Sequence, residues 1–361
     1  MALMLAVGTA DGQSLLERGV AAEAKGLDDL AEGYYRQAAD TNRQAATRLG
    51  LLLEAHERYS DAALWLARGD SSASTMAELS RCQAELQQWP AARHSAEKAM
   101  EMADTSDHTL RSLAMTSLAL AACNDDNYTN AMHWANRAAA EDPSSARALI
   151  TKGIVLFRRG DDNDAIQKFR QALQKDPNNT DAIFNLGALY CYRGNPDMAI
   201  STLRKGLKQN RRSTRLLYCL GWAFMIKGDT ESSIECLRMV IDLDSGYVNA
   251  YNRLGDIHFA RAEYNQAIEQ YRLAIRIAPD LTEGYRLLGR TYAETGAYNK
   301  AISTYQKAVV IDPNDAETYC RIAELYARQK QPKREQSNYR RAARLGHRDA
   351  QKWCTDHGVT Y

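Results

Sequence analysis

The chain of 361 residues carries 46 Lys+Arg against 45 Asp+Glu, a formal net charge of +1, and 45% hydrophobic residues. No run approaches the roughly 18–20 consecutive apolar residues of a membrane-spanning helix, so a soluble chain without a span is expected. The near-neutral total hides an asymmetry: residues 1–145 hold 12 Lys+Arg and 21 Asp+Glu, whereas residues 146–361 hold 34 and 24. An acidic amino-terminal half and a basic carboxy-terminal half favour head-to-tail association into a homo-oligomer. The seven cysteines are odd in number and scattered with no CxxC pair, which reads as reduced thiols used for packing and points to the cytoplasm. Residues 1–10 pull the other way. Their short apolar run and the small residues Gly8 and Ala10 are those of the end of a signal peptide, and on that reading the protein is periplasmic or secreted.

In chain order, residues 1–11 form an N-terminal tail or signal remnant, followed by degenerate repeats over 12–111. The first two repeats return at about 30–31 residues, with Gly19, Tyr35 and Ala38 in the first and Gly50, Tyr59 and Leu66 in the second. A third keeps Trp89, Ala92, Ala96 and Ala99, and about five extra residues then intrude near 107–111, where a bend is expected. Over 112–315 the pattern is regular. Pro143, Pro177, Pro279 and Pro313 stand on one 34-residue grid, with Arg211 and Ser245 in its two other slots. Columns on the same grid hold Gly153, Gly187, Gly221, Gly255 and Gly289, and then Phe169, Leu203, Leu237, Tyr271 and Tyr305. A fixed period over that length means a repeat array rather than a globular enzyme core.

Each unit reads as helix–turn–helix. In 146–179, Leu149, Gly153 and Leu156 make one stripe, Gly160-Asp161 breaks the helix, and Ala165, Ile166, Phe169, Ala172 and Leu173 make the next. A mid-helix glycine costs about 1 kcal/mol relative to alanine, so its recurrence predicts that helix axes cross there too closely for a side chain. Residues 316–361 hold a degenerate last repeat and a capping helix, with Trp353 covering the open end.

These residues resemble the tetratricopeptide repeat (TPR) family: large–x2–Leu–Gly–x2–Tyr on the first helix, then Ala–x3–aromatic–x2–Ala and Pro on the second. Tyr251, Leu254, Gly255, Ala267, Tyr271, Ala274 and Pro279 carry the pattern, as do Tyr285, Leu288, Gly289, Tyr292, Ala301, Tyr305, Ala308 and Pro313. The resemblance implies an all-α, right-handed superhelical solenoid of about ten helix pairs, its first helices lining a concave groove. It also implies a non-catalytic scaffold or adaptor that binds a peptide or helix of a partner protein for complex assembly, with no cofactor and no metal.

The groove stripe of 146–247 is apolar and aromatic, including Ile150, Ile154, Phe157, Phe184, Tyr192, Tyr218, Trp222, Met225 and Ile226. Such patches mark interaction sites, and Trp and Tyr are common anchors; the bland alternative is packing on neighbouring units. Over 248–328 the stripe turns polar, with Asn252, Arg253, Asp256, Arg286, Arg290, Glu294, Arg321, Glu324 and Arg328, and the bland alternative is a self-paired solvated face. Asn185 and Arg215 suit the clamp by which some family members grip acidic chaperone tails, but Ile150, Ile154 and Cys219 stand where further clamp residues are needed. An alternative function is binding RNA or an anionic surface through basic convex runs, Arg204–Arg215 and Arg334–Lys352. Those runs lack interleaved aromatics for stacking bases, which argues against nucleic acid. His347, Cys354 and His357 cluster without a fourth ligand, and Asp161-Asp162-Asn163-Asp164 lacks the later Gly and Glu of a calcium loop.

Overall fold

In a computed structural model, the structure describes the backbone of residues 2–361 and the side chains of residues 12 and 14–361. The signal-remnant reading of residues 1–10 lies outside the described side chains. Among the described residues there are 21 α-helices and no strand. The chain divides into two compact units, residues 1–216 and 217–361.

The first unit contains α1 (Ala2–Glu23), α2 (Asp28–Ala39), α3 (Arg43–Ala55), α4 (Tyr59–Arg68), α5 (Ala73–Glu85) and α6 (Trp89–Met102). It continues with α7 (His108–Asn124), α8 (Tyr128–Glu141), α9 (Ala146–Arg159), α10 (Asp162–Lys175), α11 (Thr180–Tyr192) and α12 (Pro196–Gln209). The unit boundary falls within α13 (Thr214–Lys227). The second unit then holds α14 (Thr230–Leu243), α15 (Val248–Ala260), α16 (Tyr264–Ile277), α17 (Thr282–Glu294) and α18 (Tyr298–Ile311). It ends with α19 (Ala316–Arg328), α20 (Pro332–Arg344) and the single α21 (Arg348–Asp356).

The punctuation follows from local chemistry. Helices α8, α10, α16 and α18 each stop two residues before the grid proline, which bars its predecessor from helical geometry. Several first helices open on side-chain caps: Ser145 Oγ accepts from Ala148 N at 3.2 Å, and Asn179 Oδ1 from Ala182 N at 3.0 Å, whereas α15 and α17 open without one. The turn inside each of the ten pairs contains one left-handed residue. It is glycine at positions 26, 160, 194, 228 and 296, but Glu57, Gln87, Asp126, Ala262 and Lys330 in the other pairs. The extra residues near Asp107 lengthen a helix: α7 has 17 residues where α5 has 13 and α9 has 14.

Within a pair the mid-helix glycine of the first helix meets the large residue 16 positions later. A Cβ added at Gly255 would lie 2.4 Å from the Tyr271 ring, one at Gly153 2.5 Å from Phe169, and one at Gly289 2.7 Å from Tyr305. The close neighbour is therefore a side chain rather than the second helix's backbone. Phe169, Leu203, Leu237 and Tyr271 are almost fully enclosed there, beside the alanine column. All seven cysteines are buried, and burial pushes the Cys82 and Cys320 thiols up to about 12. His347 caps α21 and contacts Glu317 at 2.8 Å, Cys354 is enclosed, and His357 stacks on Trp353.

The glycine column makes a graded prediction. Gly255→Ala is expected to destabilise the second unit by about 1–3 kcal/mol through overpacking, outweighing alanine's helix preference of about 1 kcal/mol. At Gly221 an added Cβ would lie 3.3 Å from Leu237, a squeeze of a few tenths of an ångström, so Gly221→Ala is expected to cost clearly less than Gly255→Ala. Urea denaturation followed by circular dichroism compares the two. Coincident midpoints would remove the packing explanation.

Candidate functional site

The inner face is the surface made by the first helices of successive pairs. In the second unit it is tied together by a ladder of polar side chains. Arg253 Nε on α15 donates to the Tyr218 hydroxyl on α13 at 3.3 Å, and its guanidinium lies 3.9 Å from the Asp256 carboxylate one turn along. Arg290 on α17 donates to Asp256 Oδ1 at 3.2 Å, and its guanidinium sits 4.3 Å over the Phe259 ring. The Tyr271 hydroxyl also donates to Asp256 Oδ1, at 2.9 Å, so the glycine-facing ring anchors the ladder from below. Tyr218 leans on Tyr247, with ring centroids 5.3 Å apart. Tyr218, Trp222 and Met225 are half-buried, as are Arg253 and Asp256, while Arg286 and Arg290 are exposed.

Beyond Arg290 the face opens into a groove of roughly 370 Å³ between α17 and α19, lined by Arg286, Arg290, Glu294, Glu317, Arg321, Glu324 and Arg328 around Leu287, Ala293 and Leu325. Its charges alternate: Arg321 pairs with Glu317 at 2.7 Å and with Glu324 at 3.2 Å. Asn252 is only 6% exposed and its Oδ1 has no hydrogen-bond partner, so it does not lie on the open part of this face.

In the first unit the inner face is occupied by the chain itself. Ile150 is buried, Ile154 and Phe157 are half-buried, and Tyr192 is 67% exposed with its ring edge-on to Phe157. Phe184 on α11 lies 4.3 Å beneath the guanidinium of Arg215, at the start of α13. Arg215 Nη1 donates to Asp181 Oδ1 at 2.8 Å and approaches the Tyr59 hydroxyl at 3.5 Å. Its other terminal nitrogen lies 3.8 Å from Glu85 on α5. Ser213 Oγ donates to both carboxylate oxygens of Glu57 at 3.2 Å, although 156 residues separate them. Arg81 on α5 bonds Asp181 at 3.4 Å and pairs with the buried Glu54 on α3, while Arg147 on α9 lies 3.7 Å from Glu78. The α3–α5 side and the α9–α13 side are thereby joined by one enclosed ionic network.

The network sets its members' acidities. Burial alone would raise Asp181, but the charges of Arg215, Arg81 and Arg147 outweigh it and hold the carboxyl below its usual range. At Glu57 the balance reverses, and burial pushes the carboxyl up against the pull of Arg215 and the Ser213 hydrogen bond. Sequence reasoning placed Ile154, Phe157, Phe184 and Tyr192 on this face but did not find Glu54, Glu57, Tyr59, Arg81 and Asp181. The signal available was coarse: the acidic charge of 1–145 against the basic charge of the remainder.

The tetratricopeptide repeat family matches residues 118–180, 156–218, 255–296 and 289–330. The chain belongs to the tetratricopeptide repeat family. TPR arrays of this kind are protein-interaction scaffolds, generally without catalysis of their own. No curated protein matches the chain. Among solved structures, a human IFIT1 dimer with PPP-AAAA is 15% identical over 91% of this chain and 89% of that one, with a TM-score of 0.59. The Cut9–Hcn1 hetero-tetramer of APC/C is 16% identical over 94% and 75%, with a TM-score of 0.57. A crystal structure of MamA is 30% identical over 46% of this chain and 96% of its own, with a TM-score of 0.40. The first two share the helical-solenoid fold with this TPR protein. No described helix is long and apolar enough to cross a membrane.

Asp181 gives a pH signature. A carboxylate whose folded value is depressed stabilises fully above its unfolded value of about 3.9 and loses that effect as pH falls through the folded value. Asp181→Asn is therefore expected to cost on the order of 3–5 kcal/mol at neutral pH, as for one partner removed from an enclosed ion pair. Its gap from the wild type should close in acid. Chemical denaturation at pH 7 and pH 3 reads this, and an equal gap at both would exclude Asp181 as the source.

Proposed function

We propose that this TPR protein is a non-catalytic adaptor that binds a peptide or helix of a partner protein along the inner face of its first helices. The observation that carries this reading is the ladder Tyr218–Arg253–Asp256–Arg290, which holds cationic and aromatic groups in place across three successive first helices. Groups fixed before binding lose little conformational freedom on binding, and Tyr, Trp and Arg dominate interface energetics. Trp222 and Met225 supply apolar area beside the ladder, Arg286 and Arg290 orient the ligand, and Ile154, Phe157, Phe184 and Tyr192 are the corresponding groups of the first unit. Seven reduced thiols favour the cytoplasm as the site of action.

RNA is the competing ligand class. IFIT1 was solved with PPP-AAAA, but a likeness at 15% identity speaks for the fold alone. Here the inner-face cations Arg253, Arg290 and Arg321 each have a carboxylate within 4 Å, which opposes a phosphate backbone.

Peptide display against the immobilised full-length protein, followed by calorimetric titration of the enriched peptides, tests the proposal. Arg290→Ala and Trp222→Ala are each expected to weaken binding about tenfold, the effect of losing one interface hot spot. Affinity should change little between 50 and 200 mM salt, whereas multi-phosphate binding falls about 10³–10⁵-fold over that range. Enrichment that ignores both substitutions would overturn the assignment of the face, and a steep salt slope with RNA would replace peptide by nucleic acid.

A further inference from the structure

The turn between α3 and α4 differs from its equivalents in what it does with its left-handed residue. Five of the ten pairs place glycine there and five, the second pair among them with Glu57 at φ 61°, place a residue with a side chain. The backbone geometry aims a carboxylate out of the turn, and that carboxylate accepts from Ser213, which is itself buried. Two residues on, Tyr59 is half-buried with its hydroxyl at Arg215 and its ring under Arg81. A glutamate and a tyrosine from one repeat thus meet a floor of Ser213 and Arg215 from others, Arg215 in turn lying over Phe184.

We infer that the Glu57–Tyr59 turn is an internal ligand that holds this part of the inner face closed, and that the site accepts in trans a partner segment of the same chemistry. That segment presents a carboxylate and a phenol two residues apart. This rests on the reading of the inner face as the binding face, but it uses residues of the first unit alone. The charge complementarity is explicit: Arg215 faces Glu85, Asp181 and Tyr59, and Ser213 faces Glu57. The contacts that cross from the turn are polar and made by side chains, so a chemically equivalent ligand can replace them one for one. The crossing contacts are single hydrogen bonds, Ser213 to Glu57 and Arg215 to the Tyr59 hydroxyl, each of modest net worth, which makes them displaceable by a ligand that offers the same acceptors.

The test uses the full chain and a fluorescein-labelled peptide spanning residues 51–62, followed by anisotropy. Glu57→Gly removes the carboxylate while suiting the left-handed backbone, so the turn is retained and Ser213 loses its internal acceptor. The peptide is expected to bind Glu57→Gly at least tenfold more tightly than it binds the wild type. A peptide carrying Glu57→Gln and Tyr59→Ala should not bind. In the Glu57→Gly background, Arg215→Ala should abolish binding. Because Arg215 lies within the ionic network, Ser213→Ala in the same background probes the same floor with a smaller change, and a severalfold loss is expected. Equal affinity for wild type and Glu57→Gly would overturn the inference, as would binding that survives both floor substitutions. Neither result depends on Arg290 or Trp222, so the second-unit face stands or falls separately.

Discussion

The structure depends on one contact, that between the mid-helix glycines Gly153, Gly187, Gly255 and Gly289 and the large residue 16 positions after each. A helix gives up intrinsic stability to carry glycine at its centre. In return Tyr271, Phe169 or Tyr305 lies flat across the helix and is buried there. Neither helix of a pair can cover its own apolar stripe, so pairs must stack, and stacking leaves one face of every first helix available. At Tyr271 the same contact reaches the candidate site: the ring is fixed by Gly255 on one side, and its hydroxyl fixes Asp256, which in turn holds Arg290. Packing and recognition geometry share a residue.

The fold was legible because a repeat writes its contacts into the sequence as fixed offsets. Gly255 and Tyr271 recur as Gly289 and Tyr305, and the same spacing fixes where Pro279 and Pro313 must end a helix. The second-unit ladder was legible for the same reason, since Arg253, Asp256 and Arg290 lie on first helices one period apart. What the sequence misread was the agent of the glycine contact. Periodicity predicts closeness at Gly255 but does not say whether a backbone or a ring occupies the space.

The ionic network of the first unit was illegible on different grounds. Ser213 and Glu57 are 156 residues apart, and Arg81 and Asp181 are 100 apart. A repeat pattern specifies contacts between neighbours and is silent about contacts between pairs separated by several periods. Charge counting detected that the two parts of the chain differ, and expected the difference to act between molecules. Within residues 1–216 much of it acts inside one molecule, where Glu54, Glu57, Glu78 and Glu85 meet Arg81, Arg147 and Arg215.

The two inner faces therefore pose different recognition problems. In the second unit Arg253 and Arg290 share the Asp256 carboxylate and retain donors for a ligand, while Arg321 is paired with both Glu317 and Glu324. Such partly solvated pairs hold geometry without contributing much stability. In the first unit the cations are enclosed, and a ligand must exchange with an equivalent group already present. Glu57 shows the tension of that arrangement: burial works against its charge while Ser213 and Arg215 hold it. The left-handed backbone is common to all ten turns and carries a side chain at five of them, so the constraint particular to this turn is its partly desolvated carboxylate, bonded to a serine 156 residues away.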